Sequence, residues 1–344
     1  MRIAFVGKGG SGKTTAAAMF SRYVAAGGQR VVAVDADINQ HLAAALGHDG
    51  PPPSALGADP AWLKALLRGD NPRIAAAESM IKTTPPGRGS RLLDLGPDDA
   101  VLRRFAIRVG QVHHLATGEF DEADVGVSCF HAKTGAVELY LNHLIDGPGE
   151  YVVVDMTAGA DAFASGLFTR FDLTVLVCEP TWRGVGVYRQ YAELAAGHGV
   201  ALRVLGNKVG EPADVDYLRE HIGDALLGWL GQSPWVRAAE RGAPAPIDAL
   251  EPANREVLAA LLDDLDSRTR DWVAYHRGTV EFHLRNAAAW ANRTVGEDLS
   301  RQVDPDFVPG PDHRARPADV LAGRGSPALA AAAVSRGAAP HRVP

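Results

Sequence analysis

The stretch that most constrains this chain is its start, Met-Arg-Ile-Ala-Phe-Val-Gly-Lys-Gly-Gly-Ser-Gly-Lys-Thr-Thr. The apolar run Ile3 to Val6 has the length and composition of a buried strand. It passes into a glycine-rich loop, Gly7 to Gly12, and then into a helical pattern over Ala16 to Ala26. Strand, G-x-x-x-x-G-K-T and helix in that order make a phosphate-binding turn. Where no Cβ intervenes, successive backbone N–H groups can turn inward around an anion, and the helix N-terminus adds partial positive charge behind them. Gly9, Gly10, Ser11, Gly12, Lys13, Thr14 and Thr15 are therefore the expected nucleotide contacts. Lys13 is expected to neutralise the β- and γ-phosphates, and Thr14 to offer its hydroxyl to Mg²⁺.

Other strand ends supply carboxylates. Arg30 to Val34 reads as a second strand, and it runs into Asp35-Ala-Asp37-Ile-Asn-Gln-His-Leu42. Two carboxylates spaced by two residues at the C-terminal end of a parallel strand share a face and point toward the crevice where ligands bind. Tyr151 to Val154 is wholly apolar and ends at Asp155, from where a carboxylate can hold Mg²⁺ through water. Further strands are expected at Thr174–Val177, Leu202–Leu205 and Leu226–Leu230, with Arg104–Val109 and Gln111–Ala116 also strand-like. Short helices are expected at Ala61–Arg68 and Arg73–Met80. Strands alternating with helical patterns predict an α/β fold: a doubly wound, mainly parallel sheet of seven or eight strands with helices on both faces. The strand ending at Asp155 is expected beside the first strand.

A second lysine stands inside the loop. Lys8-Gly-Gly-Ser-Gly-Lys13-Thr-Thr resembles the deviant Walker A motif of the MinD/ParA/nitrogenase-iron-protein group of ATPases. Lysine is scarce here: Lys8, Lys13, Lys64, Lys82, Lys133 and Lys208 are all there are. Three of these fall at motif positions, where a slim point charge is not interchangeable with a planar guanidinium. The resemblance implies an ATP hydrolase that dimerises around two nucleotides, Lys8 reaching the partner's phosphates. By the same resemblance Asp37 positions or deprotonates the attacking water, and Asp35 supports the Mg²⁺ shell. Asp155-Met-Thr-Ala-Gly159 resembles the nucleotide-sensing switch, with the Gly159 amide at the γ-phosphate. Asn207 is expected to hydrogen-bond adenine. The absence of an aspartate at Gly210 favours ATP over GTP. The switch is closest to that of the CooC-type nickel-insertion ATPases of carbon monoxide dehydrogenase. Those carry a Cys-x-Cys that binds metal between two subunits, where this chain has Cys129-Phe-His131. Cys129 and His131 then form a candidate half-site for Zn²⁺ or Ni²⁺ at the dimer seam. The alternative is a packed cysteine and an exposed histidine.

Composition narrows the rest. A net charge of −6 gives no global field to attract nucleic acid, which argues against a ParA-like role on DNA. The last residues show no amphipathic pattern for a MinD-like membrane anchor, and no apolar run approaches a span. A small-molecule kinase on the same loop would have no use for Lys8. Two cysteines and no leader pattern lead to an expected cytoplasmic location. The ATPase domain is expected over residues 1–265. A helical extension over 266–304 is expected to continue an apolar stripe through Trp272, Val273, Val280, Leu284 and Trp290, and a disordered tail over 305–344 to follow. The partners expected are a second copy of the chain and a client protein.

Overall fold

The computed structural model describes residues 1–119 and 130–314, residues 130–132 by their backbone alone. Strands enclosed on both faces need no polar alternation, and the strands here are nearly continuous apolar runs. They are β1 (Arg2–Gly7), β2 (Arg30–Ala36), β3 (Ile107–Val109), β4 (Val112–Ala116), β5 (Glu150–Met156), β6 (Leu173–Cys178), β7 (Leu202–Val209) and β8 (Leu226–Gly231). They form one 8-stranded sheet in the order β3-β4-β2-β5-β1-β6-β7-β8. Every pairing is parallel except β3 with β4. The mainly parallel, doubly wound sheet matches the sequence reading, including the adjacency of β1 and β5.

Alternate residues of each strand serve opposite cores. Ile3, Phe5, Val31, Ala33 and Val153 face α1 (Lys13–Ala26), α2 (Leu42–Leu46) and α9 (Pro252–Asp266). Ala4, Val6, Val32, Val34 and Val154 face the core built with α3 (Pro60–Arg68), α4 (Ala100–Phe105), α5 (Phe130–Asn142), α6 (Trp182–Ala196) and α7 (Pro212–Ile222). A helix α8 (Pro234–Glu240) follows β8. No helix among the described residues is long and apolar enough to cross a membrane.

Four local expectations are corrected. Arg104 does not lie in a strand. Asp99 accepts from the N–H groups of Val101 and Leu102, and this N-cap starts α4 ahead of β3. The expected helix Arg73–Met80 shrinks to one 3₁₀ turn at Ala77–Ser79. Arg68 donates to the carbonyls of Ile74 and Ala75, acceptors that a helix would have used internally. The apolar stripe expected in α10 (Trp272–Asn286) is not its buried face. Val273 is 53% exposed and Leu284 41%, while His276, Thr279 and His283 are buried. That face is held by polar and aromatic contacts: the Tyr275 hydroxyl donates to the Leu141 carbonyl at 3.0 Å, His283 Nε2 lies 2.9 Å from the Leu299 carbonyl, and Phe282 meets Phe168 edge-on, while just ahead of the helix Arg270 reaches Asp146 at 2.6 Å and Asp172 at 2.5 Å. Ordered packing also extends beyond residue 304. Arg88 binds Asp304 at 3.0 Å and Asp306 at 3.2 Å, and Phe307 is buried. A disordered tail beginning at 305 therefore does not match residues 305–314.

Candidate nucleotide site

The carboxyl ends of β1, β2, β5, β7 and β8 converge on one cavity. Its volume is about 1050 Å³. Gly9, Gly10, Gly12, Lys13, Thr14, Thr15, Asp37 and Asn207 all line it. Two glycines are dictated by geometry. At Gly7, with φ +146°, a Cβ would stand 2.5 Å from the Val177 carbonyl oxygen of β6. Gly12 caps α1 in the left-handed region at φ +96°, and a Cβ there would lie 2.2 Å from Asn207 Nδ2. That amide donates to the Ser11 carbonyl at 2.7 Å. Asn207, expected at the adenine, thus lines the cavity and also braces the loop from β7. The Ser11 hydroxyl is buried without a protein partner, and Ser11 does not line the cavity.

Lys13 Nζ stands 3.4 Å from Asp37 Oδ2, both largely buried. Thr14 Oγ1 donates to Asp155 Oδ2 at 2.5 Å. Asp155 is wholly buried, and its other oxygen, Oδ1, has no protein partner. A buried acceptor without a donor calls for an explanation. Together with the Thr14 hydroxyl it offers hard oxygens of the kind Mg²⁺ takes, usually one or two carboxylates completed by phosphates and water. Burial, reinforced by the Asp37 charge and opposed by Thr14 and Lys13, pushes the Asp155 carboxyl up to about 7. A cation there would reverse that.

Asp35 is placed differently. Its Oδ2 accepts from the Leu42 N–H at 2.8 Å, and its Oδ1 from Asp37 N at 3.2 Å and Gln40 Nε2 at 3.4 Å. Both oxygens are engaged in shaping the turn that carries Asp37. Burial and the nearby Asp155 hold its carboxyl well above the ordinary range. Gly159 opens a 3₁₀ turn, Gly159–Ala164, at φ +66°. The neighbours Thr157, Ala158 and Asp161 form that wall of the cavity.

Lys8 stands at the rim, where its Nζ donates to Glu179 Oε2 at 3.2 Å. Glu179, which sequence reasoning passed over, also accepts from Lys208 Nζ at 2.6 Å. Its signal was available: it follows the C-terminal end of β6, the kind of position that singled out Asp35 and Asp155. Cys129 and the side chain of His131 lie outside the described residues. Among those described, no group of three or more His, Cys, Asp or Glu side chains is arranged to hold a metal.

Comparison with known proteins agrees with this geometry. The family model described as the CobQ/CobB/MinD/ParA nucleotide binding domain matches residues 3–245. The carbon monoxide dehydrogenase accessory protein CooC of Rhodospirillum rubrum is 30% identical over 269 residues, covering 76% of this chain and 97% of that protein. An uncharacterized ATP-binding protein of Methanocaldococcus jannaschii is 28% identical over 255 residues, covering 72% of this chain and 92% of its own. The solved structure of a ParA family ATPase from Chlorobium tepidum has a TM-score of 0.54 at 14% identity, covering 76% of this chain and 97% of that one. That last likeness concerns the fold alone. A family match over more than half the length, taking in the glycine-rich loop and the carboxylates at 35, 37 and 155, makes this chain a member of the CobQ/CobB/MinD/ParA nucleotide-binding family.

Proposed function

We propose that the protein is a Mg²⁺-dependent ATPase that works as a nucleotide-switched homodimer and matures a metal-containing client enzyme. The observation that carries the ATPase reading is the Thr14–Asp155 pair with its unpartnered buried oxygen, set beside Lys13 and Asp37 in one cavity. Thr14 and Asp155 would hold Mg²⁺, which when bound supplies positive charge to the phosphate oxygens. The loop amides and Lys13 bind the phosphates and neutralise charge that grows as the terminal phosphoryl group transfers. Asp37, held at the cavity wall by the turn that Asp35 organises, accepts a hydrogen bond from the attacking water. Water's oxygen bonds to the γ-phosphorus as its proton passes to the Asp37 carboxylate, the bond to the β-phosphate oxygen breaks, and ADP and phosphate leave. Lys8 supplies its charge to the partner's nucleotide.

The maturation role rests on the likeness to CooC, whose name makes it an accessory to carbon monoxide dehydrogenase. Cys129 and His131 are the proposed half-site, two protomers giving the four ligands of a tetrahedral Zn²⁺ or Ni²⁺ site. Titrating each metal into the full chain, with and without a non-hydrolysable ATP analogue, tests the metal role. One ion per dimer, bound more tightly with the analogue and lost in Cys129→Ser and His131→Ala, is the expected result. No metal binding, or submicromolar binding that survives both substitutions, would remove the metal role and leave the ATPase reading standing.

A further inference from the structure

We propose that Glu179 is the positioning residue for Lys8, holding the loop lysine on its own protomer until a nucleotide-bound partner draws it away. The inference rests on the homodimer reading above and adds the group that regulates it. One carboxylate joins three segments at the cavity rim. Glu179 Oε2 accepts from Lys8 Nζ at 3.2 Å, and Oε1 accepts from Lys208 Nζ at 2.6 Å. Lys208 Nζ also donates to the Gly10 carbonyl of the loop at 2.7 Å. Lys208 is the one non-glycine residue with positive φ among the described residues, at 59°. A long side chain in that region is uncommon and is kept there by its surroundings. The backbone at the end of β7 is therefore committed to delivering this ammonium to Glu179 and the loop.

The two lysines are held unequally. Lys208 has the shorter bond to Glu179 and a short second bond to the loop. Lys8 has only the longer contact to Glu179 and a 3.4 Å contact to the Gly9 carbonyl next to it. The Glu179 side chain is 15% exposed, and hydrogen bonds from Lys208 and Lys8 outweigh its burial to keep its carboxyl below the ordinary range. Removing a lone partner from such a carboxylate would leave a poorly solvated charge unpaired. Here Lys208 remains when Lys8 departs, so release is cheap. A lysine bonded to Glu179 is not available to a second protomer. Glu179 therefore sets how often Lys8 is free, and a partly exposed ion pair of this kind shifts such an equilibrium about two- to fivefold.

The test uses the full chain as wild type, Glu179→Gln, Lys208→Met, Lys8→Ala and Glu179→Gln/Lys8→Ala. For each, the dimer dissociation constant with Mg²⁺ and a non-hydrolysable ATP analogue is measured by sedimentation, and kcat and KM for ATP by steady-state assay. Glu179→Gln is expected to tighten the dimer and raise kcat about two- to fivefold with KM unchanged. Lys208→Met, which leaves Glu179 to Lys8 alone, is expected to move both in the opposite direction. The tightening of the dimer by Glu179→Gln is expected to vanish in the Lys8→Ala background. A merely structural brace predicts that Glu179→Gln and Lys208→Met both raise KM and weaken the dimer, and that pattern would overturn the proposal. So would a Glu179→Gln tightening that persists without Lys8, which leaves the homodimer reading intact. A wild-type chain that stays monomeric with the analogue overturns both.

Discussion

Replacing Asp155 by asparagine should make the ligand-free protein more stable at neutral and alkaline pH, although it removes a residue proposed to hold Mg²⁺. Asparagine is nearly isosteric and can still accept the Thr14 hydroxyl hydrogen bond. What it removes is a buried negative charge with one oxygen unpartnered. Burial, with the charge of Asp37 adding to it, raises the Asp155 carboxyl from 3.8 to about 7. Between those values the folded protein holds a proton that the unfolded chain has lost, so stability falls as pH rises through that window and stays low above it. The full penalty is roughly 4 kcal/mol at pH 8. The new amide NH₂ takes the place of the orphan oxygen and lacks an acceptor, which returns about 1–3 kcal/mol of that gain. The net expectation is a variant about 1–3 kcal/mol more stable at pH 8, with the advantage about 2–3 kcal/mol smaller at pH 5. Relief of Asp35, whose carboxyl is raised by burial and then by Asp155, acts in the same direction. Urea unfolding at both pH values, without nucleotide or Mg²⁺, measures it. Adding Mg²⁺ and an ATP analogue should reverse the order, since a bound ligand then stabilises only the wild type strongly. A variant destabilised equally at pH 5 and pH 8 would refute the argument.

Two further substitutions probe the same cavity. Gly12→Ala adds a Cβ at φ +96° and 2.2 Å from Asn207 Nδ2, so it should cost about 1–3 kcal/mol in thermal unfolding and abolish nucleotide binding; normal binding would show that the loop can relax. Asp37→Ala should keep the ATP analogue while turnover falls ~10²-fold. Unchanged turnover would assign the water-activating role elsewhere.

The parts of the fold legible in the sequence are those where one short segment contains its own cause. The run Ile3 to Val6, the glycines after it, and Asp155 after an unbroken apolar strand each need only local reading, and β1 and β5 pair as expected. The strand expected over Arg104–Val109 forms at Ile107–Val109 only, because Arg104 and Phe105 end the helix that Asp99 caps upstream. Arg73–Met80 misled because its alanines favour a helix, while Arg68 had already taken the carbonyls. In α10 the apolar residues drew attention to the wrong face. Its buried face meets the carbonyls of Leu141 and Leu299, and the ion pairs of Arg270 with Asp146 and Asp172 stand just ahead of it, contacts between distant segments that no periodicity reports. Glu179 escaped for a similar reason, since its meaning depends on Lys8 and Lys208 meeting it in space.

The central claim is that a complete site takes its loop lysine from a second copy of the chain. Mixing Lys8→Ala with Asp37→Ala tests it directly, because each variant alone is expected to be inactive. In a mixed dimer the Lys8→Ala protomer keeps Asp37 and receives Lys8 from its partner. An equimolar mixture should therefore recover about a quarter of wild-type turnover, since half of the dimers are mixed and each holds one whole site of two. Turnover no greater than the sum of the two variants alone would contradict the claim and place Lys8 in its own protomer's site.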